Sequence, residues 1–189
     1  KDKVVKDASF EVHKGEILGI FGLGGSGRTE LLEGIYGYKS ITNGEVFYKG
    51  KRLEKLSPKN SINNGIGLIH EDRRGHSLVI NRSIKNNVVL PIIDSYVQKG
   101  LYNSKKENSD VNDKIQELNI KAVNNNQKVA QLSGGNQQKV VFAKSLIFNP
   151  EVFLCDEPTQ AVDIMTRSEI HTLLREKAAE GKAIVYVTS

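Results

Sequence analysis

"GLGGSGRTEL", residues Gly22 to Leu31, carries two overlapping glycine patterns. Gly22, Gly24 and Gly27 spell G-x-G-x-x-G, the dinucleotide-binding fingerprint. Gly22, Gly27, Arg28 and Thr29 spell a phosphate loop, G-x-x-x-x-G-K-[ST], with arginine at the lysine position. Both patterns need a strand before the glycines and a helix after them. The flanks supply that order: "GEILGIFG" is a short apolar run closed by glycine, and "RTELLEGIYG" spaces Leu31, Leu32, Ile35 and Tyr36 as a helix does. A dinucleotide site also needs an acid about 20 residues on, at the end of the second strand, for the ribose hydroxyls. Glu45 is the only acid near that spacing, and it precedes the apolar run "VFY" instead of ending one. The phosphate loop is the better reading. Its glycines let successive N–H groups point inward at phosphate oxygens, Arg28 is the cation and Thr29 the hydroxyl for magnesium.

Outward from this loop, "TNGEVFYKGKRL" alternates apolar and polar residues around Asn-Gly and Lys-Gly, which predicts a hairpin in an antiparallel sheet. A polar, Asn/Lys-rich stretch follows, with "DVNDKIQELNI" as its clearest helical pattern, and is expected to form a small helical insertion over about residues 83–138. Then come a helix, "GGNQQKVVFAKSLIF", an apolar strand, "EVFLCD", an amphipathic helix around "MTRSEIHTLLREKAAEG", and a final strand, "KAIVYVT". Such alternation indicates a parallel sheet, whose ligands sit at the carboxyl ends of its strands.

A chain of 189 residues with 38% apolar content suits one ordinary domain. No apolar run is long enough to span a membrane, and "KDKVVKDASF" lacks the apolar core of a secretion signal, so a cytoplasmic location is expected. The charge of +5, from 27 basic and 22 acidic residues, is spread without a block of one sign. No aromatic-plus-basic module accompanies it, so no nucleic-acid partner is expected. His13, His70, His76 and His171 show no metal-ligand spacing and read as surface or loop residues. Cys155, inside "VFLC", reads as a buried, inert thiol. Tyr36 and Tyr38 read as packing residues.

Two further stretches sharpen the chemistry. "VFLCDEPT" delivers two adjacent carboxylates at the end of a strand, as needed if Asp156 holds the magnesium shell and Glu157 polarises a water. "LSGGNQQK", Leu132 to Lys139, sets a serine and two glycines at the start of a helix, where free N–H groups and the helix dipole favour an anion. Phosphate loop, "LSGGNQQ" and "DEPT" in this order resemble the nucleotide-binding domain of an ABC-type ATPase over nearly the whole chain. "GLGGSGRTEL", "IHEDRRGHSLV", "LSGGNQQKV" and "DEPTQAVDI" together are similar to the second, C-terminal, of two tandem ATPase halves in bacterial importers of ribose, galactose and related sugars. There, arginine commonly replaces the phosphate-loop lysine.

The resemblance implies an α/β fold of P-loop NTPase type: a mostly parallel sheet with an antiparallel β subdomain and a small helical subdomain. Residues 1–189 would be one such domain, cut at both ends. It implies ATP and Mg2+ as ligands. Gly22, Leu23, Gly24, Gly25, Ser26, Gly27, Arg28, Thr29 and Glu30 would hold one ATP, while Ser133, Gly134 and Gly135 would close on an ATP held by a second ABC ATPase domain. Thr29, Asp156 and Glu71 would bind the metal; Glu71 stands where such domains usually carry a glutamine that also senses the transport channel. Glu157 and Arg28 would be catalytic, and Asp163 would touch the partner domain. Arg28 is not a neutral replacement, since a guanidinium is planar and less compact than an ammonium. The polarising histidine that usually follows "VYVT" is Ser189 here. Slow hydrolysis at the chain's own loop is the expectation, with "LSGGNQQ", the signature of the resembled family, serving the partner's site. An aromatic that stacks on adenine usually precedes the first strand, and none precedes Val4. The implied setting is the cytoplasmic face of the membrane, beside permease subunits and, indirectly, a sugar-binding protein. The competing classes are a soluble ABC ATPase of translation or DNA repair, and a regulatory half that binds nucleotide without turnover.

Overall fold

In the computed structural model, which describes residues 5–189, the elements follow one another as β1 (Ile17–Phe21), α1 (Arg28–Tyr36), β2 (Phe47–Tyr48), β3 (Lys51–Arg52), α2 (Pro58–Asn63), β4 (Ile66–Ile69), α3 (Ile84–Val88), β5 (Val97–Gln98), β6 (Leu101–Tyr102), α4 (Ser104–Glu117), α5 (Gly134–Leu146), β7 (Val152–Asp156), α6 (Ile164–Ala179) and β8 (Ala183–Thr188). The stretch ahead of Val4, where an adenine-stacking aromatic would be sought, lies outside the described residues. The chain divides into two units. The first comprises the chain up to Glu71, Pro150–Pro158 and His171–Ser189; the second comprises Asp72–Asn149 and Thr159–Ile170.

In the first unit β1, β8, β7 and β4 lie side by side in that order, all parallel. β7 and β8 are central, which is why "VFLC" and "AIVYV" are unbroken apolar runs: a strand covered on both faces has no polar side to show. Leu32 of α1 joins Ile66, Leu154, Val185 and Val187 in the core, with Ile20, Ile35 and Tyr36 packed against them. Tyr36 is thus a packing residue, and burial pushes its hydroxyl up to about 12. Tyr38 is not, being 52% exposed. Cys155 is fully buried, and desolvation raises its thiol, in keeping with an inert side chain. The sequence reading assigned no strand to β4. "IGLI" is four residues long, too short for its periodicity to separate strand from helix.

Register fixes where the chemistry goes. Phe21 pairs with Thr188, Val187 with Asp156, and Cys155 with Ile69. The strands therefore finish nearly flush, and the residues that follow each of them, Gly22, Glu157 and His70, leave the sheet at one edge.

The expected hairpin is present as β2 and β3, joined by Lys49-Gly50, both with positive φ. That is the turn whose twist suits a two-residue hairpin. The second unit repeats the device at Lys99-Gly100 between β5 and β6, a hairpin the sequence reading did not anticipate inside its helical insertion. Here α3, α4 and α5 pack on one another around Ile84, Val88, Val111 and Val140, each 0% exposed. Asn87 of α3, also 0% exposed, accepts from Val79 N–H at 2.7 Å and donates to Val79 O at 3.1 Å and Ser83 O at 2.9 Å. Replacing it by alanine removes three side-chain hydrogen bonds to backbone groups. Asn87→Ala is expected to lower stability by about 1–3 kcal/mol in a urea titration, and a loss below the range of an ordinary surface change would contradict that role.

Candidate functional site

The phosphate-loop segment folds tightly between β1 and α1. Ser26 N–H donates to Leu23 O at 3.1 Å and Leu31 N–H to Gly27 O at 2.9 Å. Gly25 and Gly27 have φ of 78° and 92°, which a side chain rarely tolerates. A Cβ on Gly22 would stand 2.7 Å from Ser26 Oγ, whereas nothing lies within 4 Å of one on Gly24 or Gly25. Leu23 is 86% exposed, and Glu30 sits in the first turn of α1. Gly27 caps that helix without a side-chain hydrogen bond, so no cap side chain claims the leading N–H groups of α1 and their partial positive charge.

Arg28 does not extend into solvent. Its Nη1 donates to Thr188 O at 2.6 Å and to Gly22 O, while Nη2 lies 3.7 Å from Glu157 Oε1, both side chains being 12% exposed. Glu157 has φ 42°, an uncommon conformation for a side-chain-bearing residue. Its N–H donates to Val187 O at 3.0 Å, and its Oε2 accepts the Thr188 hydroxyl at 3.2 Å. The backbone twist thus sets the carboxylate beside Arg28 and the end of β8. Thr188 carries no sequence signal beyond its place at the end of an apolar run.

Asp156, at the end of β7, is 1% exposed, and neither carboxylate oxygen has a hydrogen-bond partner of full geometry. Burial raises its carboxyl above the usual carboxylate range; the Thr29 hydroxyl and His70 pull it down, while Glu71 and Glu157 push it up. An acid left bare among a hydroxyl and two further carboxylates is a costly arrangement without a cation. The donor set of Thr29, Asp156 and Glu71 is all oxygen and fits a small hard divalent ion.

His70 corrects the sequence reading. It is 8% exposed, and its Nε2 lies 3.1 Å from Oε1 of Glu33, whose Oε2 meets Lys39 Nζ at 2.5 Å. Glu33 arises from α1 and His70 from the end of β4, so the pair ties the helix to the sheet's carboxyl edge. His171 is also more than a surface residue: it lies on α6, with Nε2 3.1 Å from the Tyr186 hydroxyl.

Ser133, Gly134, Gly135 and Asp163 gather in the second unit. Ser133 Oγ caps α5, accepting from Asn136 N–H at 3.4 Å and Nδ2 at 3.0 Å. Asp163 caps α6, accepting from Thr166 N–H at 2.9 Å and Oγ1 at 2.7 Å. Those bonds hold its carboxyl below the usual range. A Cβ on Gly135 would stand 2.5 Å from Thr166 Oγ1 and 3.0 Å from Asp163 Oδ2. That glycine is what lets the starts of α5 and α6 approach.

Comparison with known proteins gives the chain's family and fold relatives. The ABC transporter family model matches residues 5–160. A Halalkalibacterium halodurans protein, named as an import ATP-binding protein for ribose, galactose and methyl galactoside, is 43% identical over the whole chain, which covers 36% of it. The ribose import ATP-binding protein RbsA of Geobacillus kaustophilus is 40% identical, again over the whole chain and 38% of its own length. The chain therefore spans little more than a third of the curated relatives it matches. Among solved structures, the dimeric post-hydrolysis state of the ATP-binding cassette MJ0796 bound to ADP and Pi superposes with a TM-score of 0.84 and 29% identity, covering 98% of this chain and 79% of that one.

Proposed function

The chain belongs to the ABC transporter family, and from this we propose that it is one ATP-binding domain, holding magnesium ATP on Gly22–Thr29 and helping to energise import of a ribose- or galactose-type sugar. The observation that carries the reading is the carboxyl edge of the parallel sheet. The glycine loop, an uncapped helix start, the bare Asp156 carboxylate and Glu157 all meet there. The sugar class rests on the relatives' names. The "DEPTQAVDI" and Arg28 pattern favours the C-terminal position in a tandem pair, with residues 1–189 as one domain.

In this reading the N–H groups of the loop and of the first turn of α1 receive the phosphates. Thr29, Asp156 and Glu71 would hold magnesium, which when bound neutralises charge on the β and γ phosphates. Glu157 orients and polarises the attacking water. Arg28 is the odd part. Its guanidinium is engaged by two carbonyls and by Glu157 itself, so contact with phosphate requires it to leave those partners. Glu157 is likewise held, by Arg28 and by the Thr188 hydroxyl, so it too must leave partners to reach a water. Both effects slow hydrolysis here while leaving binding possible. Ser133, Gly134 and Gly135 serve an ATP on a second ABC ATPase domain. Permease subunits, and through them a sugar-binding protein, are the remaining partners, which places the domain peripherally on the cytoplasmic face of the membrane. No helix among the described residues is long and apolar enough to cross a membrane.

Calorimetry of the folded chain, alone and with its companion half, tests the binding. Magnesium-dependent uptake of ATP is the expected result, and no uptake in either sample ends this reading. The isolated chain should also hydrolyse ATP very slowly when dilute, with a rate per molecule that climbs with protein concentration, because a complete site needs two domains. Brisk turnover independent of concentration would reject the shared site.

A further inference from the structure

Beyond Glu71 the chain enters the second unit through a wide helical turn, Arg73–Ser77, closed by Leu78 N–H on Arg73 O at 2.8 Å. Asp72 starts the turn by accepting from Gly75 N–H at 2.8 Å, and a side chain on Gly75 would collide with that carboxylate. Extra-wide turns of this kind often mark functional positions because they re-aim side chains. Here the turn re-aims two arginines. Arg73 donates to Gln160 O at 3.2 Å and Ala161 O at 3.3 Å, and its Nη1 reaches Gln138 Oε1 at 3.5 Å. Arg74 Nε donates to Gln137 Oε1 at 3.3 Å. Gln137, 1% exposed, passes its own N–H groups to Val129 O at 3.2 Å and Leu132 O at 3.1 Å.

Two details show that Arg73 is built in. Ala161, whose carbonyl it holds, has φ 51°, a conformation that needs outside support in a residue other than glycine. A Cβ on Gly134 would stand 3.4 Å from Arg73 Nη2, so the signature glycine is what the guanidinium packs on. "GGNQQ" and "DRR" are thus matched parts: the glycines give the approach and the glutamines receive the arginines.

We propose that Arg73 is a positioning residue, fastening the segment just after Glu71 to the segment just after Glu157 and to the start of α5, so that the signature is presented in one fixed geometry. This rests on the ATPase reading above. The planar fork is what the task needs, since one head group must reach two carbonyls and an amide oxygen together, and a lysine ammonium lacks that shape.

The test uses the full-length protein reconstituted with its permease, comparing the parent with Arg73→Gln and Arg73→Lys. Because the signature closes on ATP already held by the partner domain, its misplacement falls on the transition state more than on ATP binding. Arg73→Gln is expected to lower kcat roughly tenfold, about the worth of a charge-assisted hydrogen bond, while KM for ATP stays within about twofold. Arg73→Lys should recover only part of that rate. In the same samples without nucleotide, hydrogen exchange at the Thr166 and Arg167 amides, which bond to Asp163, should quicken roughly tenfold in Arg73→Gln. Unchanged exchange, or an unchanged kcat in a parent that turns over, overturns the proposal. So does full recovery by lysine, or a parallel loss of KM, kcat and thermal midpoint, either of which would mark simple charge or fold maintenance. Exchange is read without ATP, so a parent that hydrolyses nothing would remove the ATPase reading while the fastening itself remained measured.

Discussion

Asp156→Asn is expected to raise the thermal midpoint of the nucleotide-free protein and to abolish the further rise that magnesium ATP gives the parent. The aspartate is 1% exposed, so at neutral pH the fold carries the desolvation of a charge that the Thr29 hydroxyl and His70 repay only in part. Its carboxyl is raised above the ordinary value, chiefly by burial, which fixes the sign. Folding favours the protonated form, so the stability contributed is present below the ordinary carboxylate range and is lost as pH climbs through the raised folded value. Asparagine keeps the size and removes the charge. The gain at neutral pH should be about 1–3 kcal/mol, at roughly 2–4 °C per kcal/mol for a chain of this length. The parent, by contrast, gains about 2.7 kcal/mol from ligand at a hundredfold excess over Kd, most of which the variant should forfeit. Melting curves with and without magnesium ATP would therefore change order. A lower apo midpoint, or a full ligand shift in the variant, would remove Asp156 from the metal site. The difference between parent and variant should also shrink as pH falls toward the ordinary carboxylate range.

Much of this arrangement was legible from local chemistry. Strand β7 and the acids ending it could be read because a two-sided buried strand cannot afford polar interruptions, and the loop because its glycines carry conformations other residues avoid. What escaped was set by partners far along the chain. His70 looked like a loop histidine; it is buried because Glu33, 37 positions away, meets it at the sheet edge. Arg73 and Arg74 were given no structural role by the sequence, because their receiving amides lie 65 and 63 positions on. Four-residue β4 gave too little pattern to count as a strand, although its carboxyl end delivers both His70 and Glu71. The replacement at Arg28 was visible in the sequence. Its folding back onto Gly22, Thr188 and Glu157 was not, since that depends on where β8 ends.

That folding back gives the largest kinetic expectation. In the full tandem protein, Glu157→Gln should reduce ATP turnover no more than a few-fold, while the equivalent change in the other half should cost ~10²–10³ in rate, the worth of one well-placed group acting on the transition state. Two contacts already occupy Glu157 where it stands: its Oε1 faces Arg28 at 3.7 Å and its Oε2 accepts the Thr188 hydroxyl at 3.2 Å. Removing the charge takes away a group already occupied, and it also releases Arg28, so part of the loss is offset. Arg28→Lys sharpens the comparison. A compact ammonium on a flexible stem has less reason to bridge two carbonyls and a carboxylate. It should make the protein's turnover more sensitive to Glu157→Gln, a non-additivity that a double-mutant cycle reads directly. Equal losses from the two glutamates in the parent would mean that both loops hydrolyse alike, and that the Arg28 contacts dissolve at no cost once nucleotide arrives.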